Sequence, residues 1–137
     1  MKWIDSKKAV KQFLSKAHSI LLNPCFDIHK NFYMKIIRNN YVDNNKHTNK
    51  STLIDLDYGL KDVVNEILQL KVENYKETVE DNKINKANPF YCFIKKIKSK
   101  NVYIKFKIRE ENNEKIFCVS FHFTEFEITN KDLPYNN

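Results

Sequence analysis

The sequence predicts an α+β fold in which N-terminal helices pack on a C-terminal twisted antiparallel sheet. Apolar residues recur at helical spacing in two segments of the first half, and they alternate with polar residues in three segments after Pro89. The connections between those three segments are short, which favours hairpins. Helices followed by strands is the element order of an α+β domain. The 137 residues contain no visible linker, so we expect a single domain, 1–137.

The first half is expected to contain two helices and one strand. Asp5 can cap a helix that extends to about Leu22. A strand is expected near 32–37, followed by an Asn-rich polar loop over about 38–52 that we expect to be mobile. The second helix is predicted over about 59–69, where apolar residues again repeat at helical spacing.

The second half is expected to be mainly strand. After the second helix, a polar segment predicts a short helical turn with Tyr75 and Lys76, and then a loop. The strands FYCFIKKIK, NVYIKFKIR and KIFCVSFHF follow, and a short tail covers 124–137. Since the chain has one glycine, asparagines are predicted to supply the left-handed turn positions. The candidates are Asn101, Asn112 and Asn113.

The charge balance favours an acidic partner. The chain has 24 Lys and Arg against 17 Asp and Glu, a formal charge of +7, which suits a nucleic acid or an acidic protein. An AT-rich genome explains the excess of Lys and Asn equally well, because codon composition alone enriches both residues. Three cysteines and no apolar N-terminal segment lead us to expect a reducing, cytoplasmic location, with no signal peptide and no membrane span.

The last two predicted strands have one apolar face and one polar face. Alternation assigns two sets of residues to the apolar face: Val102, Ile104, Phe106 and Ile108 in the first strand, and Phe117, Val119, Phe121 and Phe123 in the second. It assigns to the polar face Tyr103, Lys105, Lys107 and Arg109, together with Cys118, Ser120 and His122.

This polar face has the residue types that cleavage of RNA without a metal requires. The reaction needs a base for the 2′-hydroxyl, cations for the charged phosphorane and an acid for the leaving 5′ oxygen. Because neighbouring strands lie roughly 4.8 Å apart, one phosphate could be contacted by five side chains of this face: Tyr103, Lys105, Lys107, Ser120 and His122. The pattern by itself favours the plainer interpretation, a solvated sheet face on which lysines prevent aggregation.

Other kinds of site have less support. Cys118 and His122 would lie roughly 13 Å apart on one strand, too far to bind one zinc ion, and no other metal site or cofactor is indicated. A papain-like cysteine site lacks the glycine-containing turn around its nucleophile. With Gly59 as the only glycine, no glycine-rich phosphate loop can form. The basic run near Lys95 and Lys96 is by default a solvated edge, although its flanking aromatics also suit single-stranded nucleic acid.

The order of segments resembles the motility quorum-sensing regulator (MqsR) family of toxins. The resemblance covers roughly residues 50–123, with STLIDLDYGLKDVVNEILQLKVENYKE, a polar loop, KNVYIKFKI and FCVSFH. The strands VYIKFKI and VSFH, in that order, are its most specific part. The resemblance implies a RelE-like fold, cleavage of messenger RNA without a metal, and inhibition by a cognate antitoxin protein.

The resemblance also implies roles for individual residues. The family's functional lysine in a Tyr-Lys pair falls on Lys76, the tyrosine and lysine of its Val-Tyr-x-Lys strand on Tyr103 and Lys105, and the basic residue after Ser-Phe on His122. Both lysines would stabilise the phosphorane, Tyr103 would position or donate, and His122 would act as base or acid. Four residues are predicted to bind RNA: Tyr75, Lys95, Lys96 and Lys107. The alternative is a non-catalytic nucleic-acid or protein binding module.

Overall fold

Helices and a mixed sheet make up the part of the chain that the computed structural model describes, residues 1–35, 48–81, 88–110, 113–125 and 127–136. The predicted α+β class is confirmed at this level. In chain order the elements are β1 Lys2–Trp3, α1 Lys7–Leu22, β2 Phe32–Met34, α2 Asn49–Leu56, α3 Leu60–Leu68, β3 Tyr75–Val79, β4 Phe90–Ile97, β5 Lys100–Arg109 and β6 Lys115–Phe123.

The six strands lie in the order β1-β3-β4-β5-β6-β2. The last three strands form the predicted antiparallel meander, and β1 and β3 extend it antiparallel at one edge. At the other edge, β2 pairs with β6 in parallel, so the expectation of an antiparallel sheet holds only in part. A hairpin enforces antiparallel pairing, whereas β2 and β6 are far apart in the chain and no hairpin joins them.

Helix α1 covers the predicted segment but begins one residue later than expected. Its N-cap is Ser6, whose Oγ accepts a hydrogen bond from the backbone N–H of Ala9 at 3.1 Å. The carboxylate of Asp5, the predicted cap, instead accepts from the hydroxyl of Thr78 at 2.9 Å. Asp5 therefore connects the start of the helix to β3.

Helix α2 was not predicted and overlaps the expected mobile loop. Residues 38–47 of that loop lie outside the described residues, but 49–52 form the first turn of α2, which is capped by Thr48. One face of the helix binds the outer edge of β6. Asn49 donates to the carbonyl of Val119 at 2.9 Å and accepts from the N–H of Phe121 at 2.9 Å. Thr52, one turn later, accepts from the N–H of Phe123 at 3.0 Å.

These bonds explain how a polar segment becomes a buried helix. The side chains of Asn49 and Thr52 are 1% and 0% exposed. They take the place of a neighbouring strand, because β2 pairs with β6 only as far as Cys118. The stabilising partner is distant in the chain, so the local pattern gave no indication of it.

Two local predictions in the second half were wrong. Tyr75 and Lys76 begin β3 rather than forming a helical turn, and the turn is confined to the short helix Val72–Asn74. Asn101 lies within β5, while the left-handed positions of the β4–β5 turn are Lys98 and Ser99. The ammonium of Lys98 donates to the carbonyl of Leu56 at 2.9 Å, a tertiary contact at the end of α2. Asn113 has no positive φ, and Asn112 is outside the described residues.

The hydrophobic core lies between one sheet face and helices α1 and α3. The ring of Phe13 in α1 stacks on Tyr91 with centroids 3.8 Å apart. The fully buried members of the core include Val10, Ala17, Val63, Ile67, Phe93, Ile104, Phe106 and Phe121. The predicted tail also packs back, since Leu133 is buried and the hydroxyl of Tyr135 donates to the carbonyl of Asp5. Within the described ranges, no helix has the length and apolar character to cross a membrane.

Candidate functional site

The outer face, which we define as the sheet face opposite α1 and α3, contains the candidate site. Paired strand residues share a face, so the register orders this face into rows. One row crosses four strands through Glu77, Cys92, Lys105 and Ser120. The next comprises Ile94, Tyr103 and His122, and a third comprises Val79, Phe90, Lys107 and Phe117.

Tyr103 and His122 are direct cross-strand partners. Their ring centroids are 5.4 Å apart, with an angle of 40° between the planes. The Nδ1 atom of His122 lies 3.1 Å from the carbonyl oxygen of Phe123. Since a carbonyl can only accept, this contact favours a proton on Nδ1 and leaves the lone pair of a neutral imidazole on Nε2.

Tyr103 in β5 and Cys92 in β4 are diagonal neighbours on the outer face, because Cys92 pairs with Lys105 and Tyr103 with Ile94. Burial is the main cause that raises the pKa of Tyr103 far above its ordinary value. Burial also raises the pKa of the Cys92 thiol to about 11. Both groups therefore keep their protons at neutral pH. Tyr103 can donate a hydrogen bond or a proton to a substrate, but it cannot serve as a base.

Lys105 lies in the row next to this pair, opposite Ser120 and Cys92. Its side chain is partly exposed, and its ammonium lies 5.1 Å from the centre of the Phe90 ring. The structure thus brings together four of the predicted polar residues on adjacent strands: Tyr103, Lys105, Ser120 and His122.

Lys76 lies apart from this group. It is the extra residue at a register shift in β3, and its ammonium is 3.4 Å from the carboxylate of Glu77. Strand β4 separates β3 from β5, so the backbones of Lys76 and Lys105 are two strand spacings, roughly 10 Å, apart. His122 is one strand further. The sheet therefore holds Lys76 and His122 too far apart for both to contact a single phosphate.

Three of the four predicted RNA-binding residues are buried or paired with a carboxylate. Tyr75 is 0% exposed and contributes to the core. Lys95 points to the helix-covered face, because alternation along β4 separates it from Lys96, and its ammonium lies 2.7 Å from the carboxylate of Glu66. Lys107 is on the outer face but only 1% exposed, and it forms an ion pair with Asp81.

Lys96 is exposed on the outer face, as an RNA contact requires. It belongs to a mainly basic surface. Among the strand residues of this face, the one carboxylate is Glu77, and the cations are Lys2, Lys76, Lys96, Lys105, Lys107, Arg109 and Lys115.

A β-bulge in β6 corrects the predicted faces of two residues. Lys105 pairs with Ser120 and Phe106 with Cys118, so Val119 has no counterpart in β5. Because Val119 is an extra residue, the β6 side chains that precede it lie on the opposite sheet face from the one that simple alternation predicts. Phe117, predicted in the core, lies on the outer face opposite Lys107, whereas Cys118 is fully buried.

Two residues next to the predicted site, Cys92 and Glu77, were not among the predicted site residues. The short turn between β4 and β5 fixes Cys92 opposite Lys105, so a register assumed from that turn could have identified it. No comparable local signal exists for Glu77, which depends on a bulge in β3. The described residues contain no group of three His, Cys, Asp or Glu side chains suited to hold a metal ion.

Comparison with known proteins found no match to this chain among family models, curated proteins or solved structures.

Proposed function

We propose that this protein is a metal-independent endoribonuclease with a RelE-like fold, a toxin of the MqsR type that cleaves messenger RNA and is inhibited by a cognate antitoxin. The main support is the direct pairing of His122 with Tyr103 beside Lys105 on a basic sheet face. An imidazole, a protonated hydroxyl and an ammonium lie on these two adjacent strands, and in this proposal all three contact one phosphate.

In the proposed mechanism, Nε2 of His122 takes the proton of the 2′-hydroxyl. The 2′ oxygen then attacks phosphorus, the bond to the 5′ oxygen breaks, and the products are a 2′,3′-cyclic phosphate and a 5′-hydroxyl. Lys105 stabilises the charged phosphorane. Tyr103, kept protonated by its raised pKa, donates its proton to the leaving oxygen and recovers one from solvent as His122 releases the proton it took.

Lys76 has a secondary role in this proposal. Its distance of two strand spacings from Lys105 suits a neighbouring phosphate of the same RNA rather than the scissile one. Lys96, exposed on the same face, would bind the backbone further along. These contacts position the RNA and make its affinity fall with salt.

The second candidate function is a binding module in which the same residues hold phosphates without chemistry. Two contacts favour it, that of Lys76 with Glu77 and the ion pair of Lys107 with Asp81, because cations with carboxylate partners are typical of a structural surface. Both functions predict RNA binding that weakens with salt. Only the enzyme yields a cleaved product and a bell-shaped dependence of rate on pH.

The test is single-turnover cleavage of a synthetic RNA by the purified protein in excess EDTA, with analysis of the product ends. The expected products carry a 2′,3′-cyclic phosphate and a 5′-hydroxyl. A matched RNA with 2′-O-methyl groups should remain intact, because it lacks the attacking hydroxyl. Activity that requires added Mg²⁺ or Mn²⁺, or cleavage of the methylated RNA, would contradict the mechanism.

A cellular experiment tests the toxin proposal separately. Induced wild-type protein should arrest bacterial growth and deplete messenger RNA, whereas the double variant Lys76→Ala with His122→Ala should be tolerated at the same abundance. Equal tolerance of both folded proteins in several hosts would contradict the proposed toxicity.

A further inference from the structure

Two aromatic rings and a guanidinium lie together at one end of the outer face, and we call this group the aromatic patch. Its members are Tyr33 in β2, Phe117 in β6 and Arg109 in β5. Tyr33 and Phe117 are cross-strand partners with ring centroids 5.0 Å apart and an interplanar angle of 32°. The guanidinium carbon of Arg109 lies 3.8 Å from the centre of the Phe117 ring. Tyr33 is 56% exposed, so its ring remains accessible from solvent.

The patch is better suited to bind a ligand than to stabilise the fold. An aromatic ring more than half exposed on a sheet contributes little core packing. Arg109 is held over Phe117, and its buried Nε atom has no hydrogen-bond partner in the described part of the chain. The guanidinium over Phe117 adds a positive charge beside the exposed ring of Tyr33.

The position of the patch relates it to the proposed cleavage site. Phe117 lies opposite Lys107, two residues along β5 from Lys105. Tyr33 lies on the strand beyond it, so the Tyr33 and Lys105 backbones are separated by about 12 Å along and across the sheet. Single-stranded RNA spans such a distance within about two nucleotides.

We propose that Tyr33, Phe117 and Arg109 form a stacking site for an unpaired RNA base close to the cleaved phosphate. This inference rests on the proposed function, and it adds single-stranded RNA as the substrate class and a base-binding subsite. Charge complementarity favours RNA as the occupant, because the patch borders Lys105 and Lys115. Aromatic stacking next to cations is the usual way in which proteins hold unpaired bases.

The experiment uses Tyr33→Ala, with Tyr33→Phe as the matched control that keeps the ring. Binding is measured by fluorescence anisotropy with a short, fully 2′-O-methylated single-stranded RNA, which cannot be cleaved. Loss of the ring should weaken binding about tenfold, the scale of one base stacked on an aromatic side chain, whereas Tyr33→Phe should bind like the wild type. Cleavage of unmodified RNA by Tyr33→Ala should show a raised KM and a nearly unchanged kcat.

Removing single bases from the RNA locates the subsite. One abasic position should reproduce the loss caused by Tyr33→Ala, and the two changes combined should weaken binding little more than either alone, because both remove the same contact. Additive losses at every position would overturn the inference.

The remaining outcomes separate the stacking site from the proposed function. If the wild type cleaves RNA but Tyr33→Ala binds and cleaves equally well, the stacking site is wrong and the endoribonuclease proposal stands. If the wild type cleaves no RNA but binding still depends on the ring, the base-stacking site stands as an RNA-binding site and the enzyme proposal is wrong. An unchanged RNA affinity together with lost binding to a protein partner would assign the patch to a protein interface and overturn the inference.

Discussion

His122 lies directly opposite Tyr103 across strands β5 and β6, with 5.4 Å between the centres of their rings. Cys92 of β4 and Lys105 of β5 face each other in the neighbouring row of the same sheet face. This arrangement needs three strands in a single register. Substitutions at these residues therefore distinguish a loss of catalysis from a loss of stability.

Substitution of the pair should reduce cleavage without unfolding the protein. Tyr103→Phe and His122→Gln are each expected to lower the single-turnover rate by roughly 10²-fold, the scale of a lost acid, base or transition-state donor. Neither residue belongs to the hydrophobic core cluster, so the free energy of unfolding should change by about 1 kcal/mol or less. Rates equal to that of the wild type in both variants would show that the pair belongs to an ordinary sheet face.

Two neighbouring lysines in β4 should behave differently, because they lie on opposite faces. Lys96→Ala removes an exposed cation of the outer face. The plot of log affinity against log salt, which has a negative slope, should become less steep by about 1. Lys95→Ala, the matched control, breaks the contact with Glu66 and should leave that slope unchanged. RNA affinity across a salt series measures both. A smaller salt dependence in Lys95→Ala alone would place the RNA on the helix-covered face and contradict the prediction.

The bulge at Val119 predicts unequal costs for two phenylalanines of β6. Phe121 is 0% exposed in the core, so Phe121→Ala should cost roughly 3 to 5 kcal/mol in the free energy of unfolding. Phe117 is partly exposed on the outer face, so Phe117→Ala should cost less than about 2 kcal/mol. Urea unfolding measures both values. Equal costs would favour unbroken alternation through β6.

Stability should fall at alkaline pH. Burial raises the pKa of the Cys92 thiol from 9.0 to about 11, and burial with a hydrogen bond to Glu66 raises that of Tyr58 from 10.0 to about 12. The unfolded chain loses these protons first, so the free energy of unfolding should be constant below about pH 9 and decrease as pH rises through the folded-state values.

Urea unfolding between pH 7 and pH 11 measures this decrease. Cys92→Ala and Tyr58→Phe should each make it shallower, because each removes one titrating group. Cys25→Ala removes an exposed thiol and should give the wild-type profile. A profile that is flat for the wild type would contradict the buried environment of Cys92.

The sequence alone determined the elements whose signal is local. Helices α1 and α3 and strands β4 to β6 lie where periodicity predicted them, because each has one apolar face that must be buried. It also predicted that Tyr103, Lys105 and His122 share the polar face of one hairpin, since a short connection fixes their strands as neighbours. Their chemical roles remain predictions.

Only the tertiary structure decided the features that depend on distant partners. Asn49 and Thr52 become helical because they bind the edge of β6, and the bulge at Val119 moves Phe117 to the outer face. Lys107 is buried because Asp81 pairs with it there. In each case a polar group or an extra residue is stabilised by a contact far away in the chain. A periodic pattern in the sequence indicates which side chains prefer burial. It does not indicate which distant group will form a hydrogen bond or ion pair with a buried polar side chain.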